Sequence, residues 1–243
     1  MRRELFALLL ISAAAFAALD QAYTQEVSRG GESVVGKSME LAVFSNQLTP
    51  GALERMEDAC ARDSKLGCSV DKENKLVTIR QSLGPGTYYT YSAEYGFPSV
   101  TYTLVVEKLP ADIFSDALAE VLAAANATGV AQVRGTVKPL SLSDKDANAA
   151  NAAVLKALGA SIKYRAIMPS GVTYAAAGSV EGAISGNEAE FEIIDVMADS
   201  EPLVVKSEEL NLGLITLIAM VVVLGALAFS FLGSRKPAKK RRK

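Results

Sequence analysis

Two uninterrupted apolar runs bracket a long stretch in which apolar and polar residues alternate with short periods. Leu5 to Leu19 is apolar except for Ser12, and Leu212 to Leu232 has no charged residue and only Thr216 and Ser230 as polar side chains. Between the runs, Met39, Leu41 and Val43 alternate with Glu40, Ala42 and Phe44, which predicts an amphipathic strand. Thr49-Pro50 supplies a cap and a first helical position. Leu53, Met56 and Cys60 then share one face of a helix reaching about Lys65, and Gly67 stops it. Cys68 to Val70, the turn Asp71 to Asn74 and Leu76 to Ser82 predict a hairpin. After the break at Gly84-Pro85-Gly86, strands are expected at Thr87 to Glu94 and Ser99 to Leu109, around a turn at Gly96 to Pro98.

A helix is expected from Asp112, with Ile113, Ala117, Leu118, Val121, Leu122 and Ala125 on one face, ended by Gly129. Val130 to Leu140 then returns as a strand, so strand–helix–strand at Met39 to Ser82 recurs at Tyr102 to Leu140 as a repeat of architecture. Ser143 opens an Ala/Asn-rich helix with Ala147, Ala150, Val154, Leu155 and Leu158 on its apolar side and Gly159 as its C-cap. The remainder reads as strand at Ser161–Met168, Val172–Ala176, Ala189–Met197 and Leu203–Ser207. Turns are expected at Pro169 to Gly171, Gly182 to Asn187 and Asp199 to Pro202. The expected fold class is α+β, with antiparallel sheets covered by about three helices.

The two apolar runs set the organisation. Twenty-one uncharged residues at about 1.5 Å each span roughly 30 Å, the thickness of bilayer hydrocarbon. Arg235, Lys236, Lys239, Lys240, Arg241, Arg242 and Lys243 follow at once, and such a cluster stays on the cytoplasmic side. At the other end, Met1-Arg2-Arg3-Glu4 precedes the apolar run, and Ala15-Phe16-Ala17 has the small-x-small form of a signal-peptidase site. The chain is therefore read as a signal peptide or N-terminal signal anchor (1–19), an extracytoplasmic domain (20–209), a transmembrane helix (210–233) and a basic cytoplasmic tail (234–243). The domain could divide into 20–140 and 141–209.

Charge and composition narrow the chemistry. From Asp20 to Glu209 there are 16 Lys and Arg against 26 Asp and Glu, a net of −10. That excess repels nucleic acid and anionic headgroups and suits solubility outside the cell. The chain has no histidine, which removes His-based triads, most zinc sites and the commonest general acid–base group. No metal and no cofactor is expected. Cys60 and Cys68, the chain's two cysteines, are read as a disulfide on the oxidising side, closing a small loop for about 2 kcal/mol.

Several motifs compete for a role. Gly31 to Ser38 fits the phosphate-loop pattern G-x-x-x-x-G-K-S, but the polar Tyr23 to Arg29 before it and the strand pattern after it deny it the strand–loop–helix context. It is read as a glycine-rich connection between two strands. Tyr88, Tyr89, Tyr91, Tyr95, Phe97 and Tyr102 place six of sixteen aromatic residues in one hairpin. Tyr89, Tyr91, Tyr95 and Phe97 are the candidate ligand-binding residues, with strand-building tyrosines as the alternative. Asn126-Ala127-Thr128 matches an N-glycosylation acceptor at Asn126. Glu188, Glu190 and Glu192 alternate on one strand, as a solvated face or as the carboxylates of a histidine-independent hydrolase.

Ile162 to Pro169-Ser170-Gly171-Val172, then Gly178, Gly186-Asn187, Phe191 to Ile194 and Pro202 to Glu208, resembles the LppM-type domain of bacterial envelope proteins. The likeness covers about residues 161–210. It departs from the family at Ser170, inserted between the proline and the glycine, and in a signal segment without a lipobox cysteine. The resemblance implies a surface α+β domain that binds a hydrophobic ligand and carries no enzyme activity. The expected partners are the lipid bilayer and either an envelope protein or an apolar ligand, with no nucleic acid. A structural subunit of a membrane complex is the alternative.

Overall fold

A computed structural model describes residues 21–40, 50–62, 67–74, 76–110, 113–114, 140–142, 148, 152–153, 155–157 and 161–233. Asn126, the strand expected over Val130 to Leu140 except its last residue, and the termini lie outside them, as does most of the helix expected from Asp112. Strands β1 (Gln21–Val27), β2 (Ser33–Glu40), β3 (Cys68–Asp71), β4 (Leu76–Leu83), β9 (Ile162–Ile167), β12 (Ala183–Ser185) and β13 (Glu188–Glu192) form one sheet, in the order β12-β13-β9-β1-β2-β4-β3. Its pairs are antiparallel except β1 with β9. The second sheet, wholly antiparallel, is β11 (Val180–Glu181), β10 (Gly171–Ala177), β14 (Leu203–Leu210), β6 (Ser99–Val106) and β5 (Tyr89–Tyr95), in that order. A short pair, β7 (Lys108–Leu109) with β8 (Leu140–Ser141), stands apart. Each main sheet draws strands from both sides of position 141, so 20–140 and 141–209 are interleaved.

One buried cluster takes side chains from both sheets, including Tyr23, Val35, Ile79, Tyr164 and Phe191 from the first and Tyr89, Tyr102, Leu104 and Val205 from the second. Alternation produces this: every second residue of β6 (Val100, Tyr102, Leu104, Val106) points inward. Helix α1 (Pro50–Arg62) buries Ala52, Leu53, Met56 and Cys60 on its expected face. The Cys60–Cys68 disulfide, with Cα atoms 5.1 Å apart, fastens the end of α1 to β3. In the Ala/Asn-rich segment Asn148, Ala152 and Leu155 are buried at helical spacing, so the inward stripe includes an asparagine.

Four local expectations need correction. The polar stretch from Tyr23 is strand β1, in the interior of the larger sheet, with Tyr23, Gln25 and Val27 facing inward. The glycine-rich connection read between two strands is the β1–β2 turn, shorter than expected, because the strand expected from Met39 already begins at Ser33; residues 41–44 lie outside the described residues. The turn expected over Gly182 to Asn187 contains β12. The single strand expected over Ala189–Met197 is β13 followed by helix α2 (Ile193–Asp199). Ile193, Ile194, Val196 and Met197 fit one helical face, and all are buried. Ser200, in the left-handed region at φ 57°, ends α2 with its N–H 2.9 Å from the Val196 carbonyl.

Beyond β14 lies α3 (Leu212–Gly233), the described helix long and apolar enough to cross a membrane. Its Leu212–Ser230 window has mean hydropathy 2.7, and none of it is buried within the chain.

Candidate functional site

The chemistry concentrates where the β1–β2 turn meets the second sheet. Gly31, at φ +86°, lets the chain reverse. A Cβ there would sit 2.7 Å from Cδ1 of Tyr91, so glycine also provides the space in which that ring lies. The Tyr91 ring stacks on Tyr102 at 6.1 Å between centroids. The Tyr102 hydroxyl donates to Glu209 at 2.7 Å, and Arg29 donates to the other oxygen of that carboxylate at 2.7 Å. Burial first, then the Glu209 carboxylate, pushes the Tyr102 phenol up to about 12. Tyr91 is likewise pushed up to about 12, by burial and then by Tyr102.

Behind this surface runs a buried polar chain. Tyr164 donates its hydroxyl to Gln25 Oε1 at 2.5 Å. Gln25 Nε2 donates to Ser33 Oγ at 3.2 Å, and Ser33 lies 3.4 Å from the Leu83 carbonyl. The Tyr89 hydroxyl lies 2.8 Å from the Leu83 and Gly31 carbonyls. These bonds stitch β9, β1, β2, β4 and β5 together across the core and leave Gln25 and Ser33 satisfied. Sequence reading missed the chain. The available signal was Tyr23, Gln25 and Val27 at alternate positions, the inward parity of a strand.

A cleft opens beside it, lined by Glu26, Val27, Ser28, Glu32, Ser33, Val34, Ser82, Leu83 and Gly84. Glu26 and Glu32 are exposed, as is Val34, and Val27 and Ser33 are buried beneath. The cleft thus has an acidic rim over a floor of mixed polarity.

The four candidate aromatics are dispersed. Tyr89 is only 1% exposed and belongs to the core, which leaves no ring face for a ligand. Tyr91 is half-buried on Tyr102. Tyr95 and Phe97 are 77% and 65% exposed at the β5–β6 turn, away from the cleft-lining residues. The carboxylates of β13 are bound internally. Glu190 pairs with Lys163 and Arg165 at 2.9 Å each, and Glu188 lies 3.6 Å from Arg165. Glu192 accepts from the Ile162 N–H at 2.8 Å and the Ser161 hydroxyl at 2.9 Å. Bonds from Lys163 and then Arg165 hold the Glu190 carboxyl below its usual range, opposite to the shift a general acid needs at neutral pH. No group of three or more potential metal-ligating side chains occurs among the described residues.

A second cluster joins the domain to α3. Asn211 Oδ1 accepts from the Leu214 N–H at 3.1 Å, the N-cap bond of α3. The same side chain donates from Nδ2 to the Gly96 carbonyl at 3.2 Å, and its backbone N–H donates to the Pro98 carbonyl at 2.8 Å. The β5–β6 turn is thus bonded to the first turn of the apolar helix. No family model, curated protein or solved structure matches the chain, so its own geometry carries the functional reading.

Proposed function

We propose that the chain is a single-pass membrane protein whose acidic domain lies outside the cytoplasm and acts as a non-enzymatic binding module for a protein partner. The observation that carries the reading is α3: an apolar helix of membrane-spanning length, uncovered by the rest of the chain and capped by Asn211 against the domain. The basic run after position 234 orients it with the tail inside. Support for a binder comes from the cleft with its Glu26 and Glu32 rim, and from β13 carboxylates already engaged in holding strands. An LppM-type hydrophobic-ligand role would have to use Tyr91, Tyr95 or Phe97, because Tyr89 is core.

Two measurements test it. On intact cells, a cysteine at Glu181 is labelled by an impermeant reagent and one at Ala238 is not; the reverse pattern overturns the topology. Native mass spectrometry of the detergent-extracted chain shows a heteromer that is lost when Glu26 and Glu32 are both changed to Lys. A heteromer indifferent to that change, or the chain alone, overturns binding at the cleft.

A further inference from the structure

Tyr95, Phe97, Leu210 and Leu212 are all strongly exposed, at 77%, 65%, 61% and 66%. They are also neighbours. Ser99 pairs with Leu210 in the β14–β6 register, and Asn211 bonds both Gly96 and Pro98. The turn Tyr95-Gly96-Phe97-Pro98-Ser99 has no charge. Of the nearby acids, Glu94 and Glu208 flank Thr101 on the face of Leu210, set back from the turn and opposite to Tyr95, and Glu209 pairs with Arg29.

The length of α3 fixes the depth of this patch. The 22 residues of Leu212–Gly233 at about 1.5 Å each span roughly 33 Å, enough to cross the hydrocarbon with Leu212 at its boundary. Gly96 is one hydrogen bond from the residue before Leu212. The turn therefore lies within the headgroup zone, roughly 5–7 Å thick on each side. Exposed aromatic rings are favoured there, since an amphipathic ring suits a boundary between water and hydrocarbon.

From this geometry we infer that the β5–β6 turn is a second membrane-contacting element, in which Tyr95 and Phe97 insert into the interface of the leaflet that α3 enters. The inference rests on the membrane-anchor reading of α3. The occupant is the lipid interface itself, because the patch is continuous with the span. The contact is aromatic and apolar, since a domain of net charge −10 gains nothing from anionic headgroups. With α3 as one foot and the turn as another, Asn211 between them fixes the tilt of the domain over the bilayer.

The chain has no tryptophan, so single introduced tryptophans report without background. Full-length Phe97→Trp, Val222→Trp and Glu107→Trp proteins are reconstituted in phosphatidylcholine vesicles with acyl chains brominated near the headgroup or near the bilayer centre. Val222 lies within α3, and Glu107 follows the far end of β6, about 25 Å along the strand from Ser99. Phe97→Trp should emit blue-shifted light and lose about half its intensity to the shallow bromines, as an interfacial ring would. Val222→Trp should be quenched by the deep ones and Glu107→Trp by neither. Quenching at Val222 without quenching at Phe97 overturns the inference and leaves the anchor standing. No quenching at Val222 removes the anchor reading and the inference with it.

Discussion

Replacing Tyr89 with Phe removes one oxygen and keeps the ring. The ring is 1% exposed, so packing is retained, whereas the hydroxyl lies 2.8 Å from two backbone carbonyls, Gly31 and Leu83. Leu83 keeps Ser33 as a neighbour at 3.4 Å, but the Gly31 carbonyl loses its bond from Tyr89. A buried acceptor left without its partner costs about 1–3 kcal/mol. For a domain of this size about 2 kcal/mol lowers the melting temperature by about 4–8 °C. Tyr89→Ser adds a cavity and should cost about 3 kcal/mol or more, and Tyr91→Ser, from a half-buried ring, should cost less. Thermal melting of the detergent-solubilised chain by circular dichroism makes the comparison. If Tyr89→Phe melted with the unmodified chain, or Tyr91→Ser proved costlier than Tyr89→Ser, the tyrosine-to-turn bond could not be what fastens the two sheets together.

The remaining predictions concern the same corner of the molecule. Gly31→Ala should destabilise by roughly 1–3 kcal/mol, since the new methyl meets Tyr91 at 2.7 Å and the left-handed backbone strains any side chain; an unchanged denaturant midpoint would refute the close packing. Tyr91 and Tyr102 ionise near 10 in the unfolded chain and near 12 in the folded one, so above pH 10 the unfolded state holds fewer protons. Stability present in full below pH 10 should fall as pH rises towards 12. Phenolate absorbance should show a late-titrating class, and all eight tyrosines titrating together near 10 while the fold persists would contradict it.

Local chemistry and periodicity made much of the architecture legible. The inward face of α1, the β3–β4 hairpin and the Cys60–Cys68 bond follow from spacing that neighbouring residues alone satisfy. Helix α3 is equally legible, because a long uncharged run needs no tertiary partner to be recognised. The errors arose where partners come from far along the chain. Strand β1 looked too polar, yet Gln25 is buried because Tyr164, 139 residues on, donates to its side chain. The run after Glu192 looked like more strand, and only its packing in the core separates a helix from a strand there.

The candidate site divides the same way. The sequence by itself determined which aromatics cluster in the β5–β6 hairpin, that strand alternation aligns Tyr89 and Tyr91, and that no imidazole is available for catalysis. Only the tertiary structure decided that Tyr89 lies inside, Tyr91 against Gly31, and Tyr95 and Phe97 outside at the foot of α3. Residues two apart on a strand share a face, yet burial along that face of β5 falls from Tyr89 to Tyr95, because alternation sets which face a side chain takes and not how far other parts of the chain cover it.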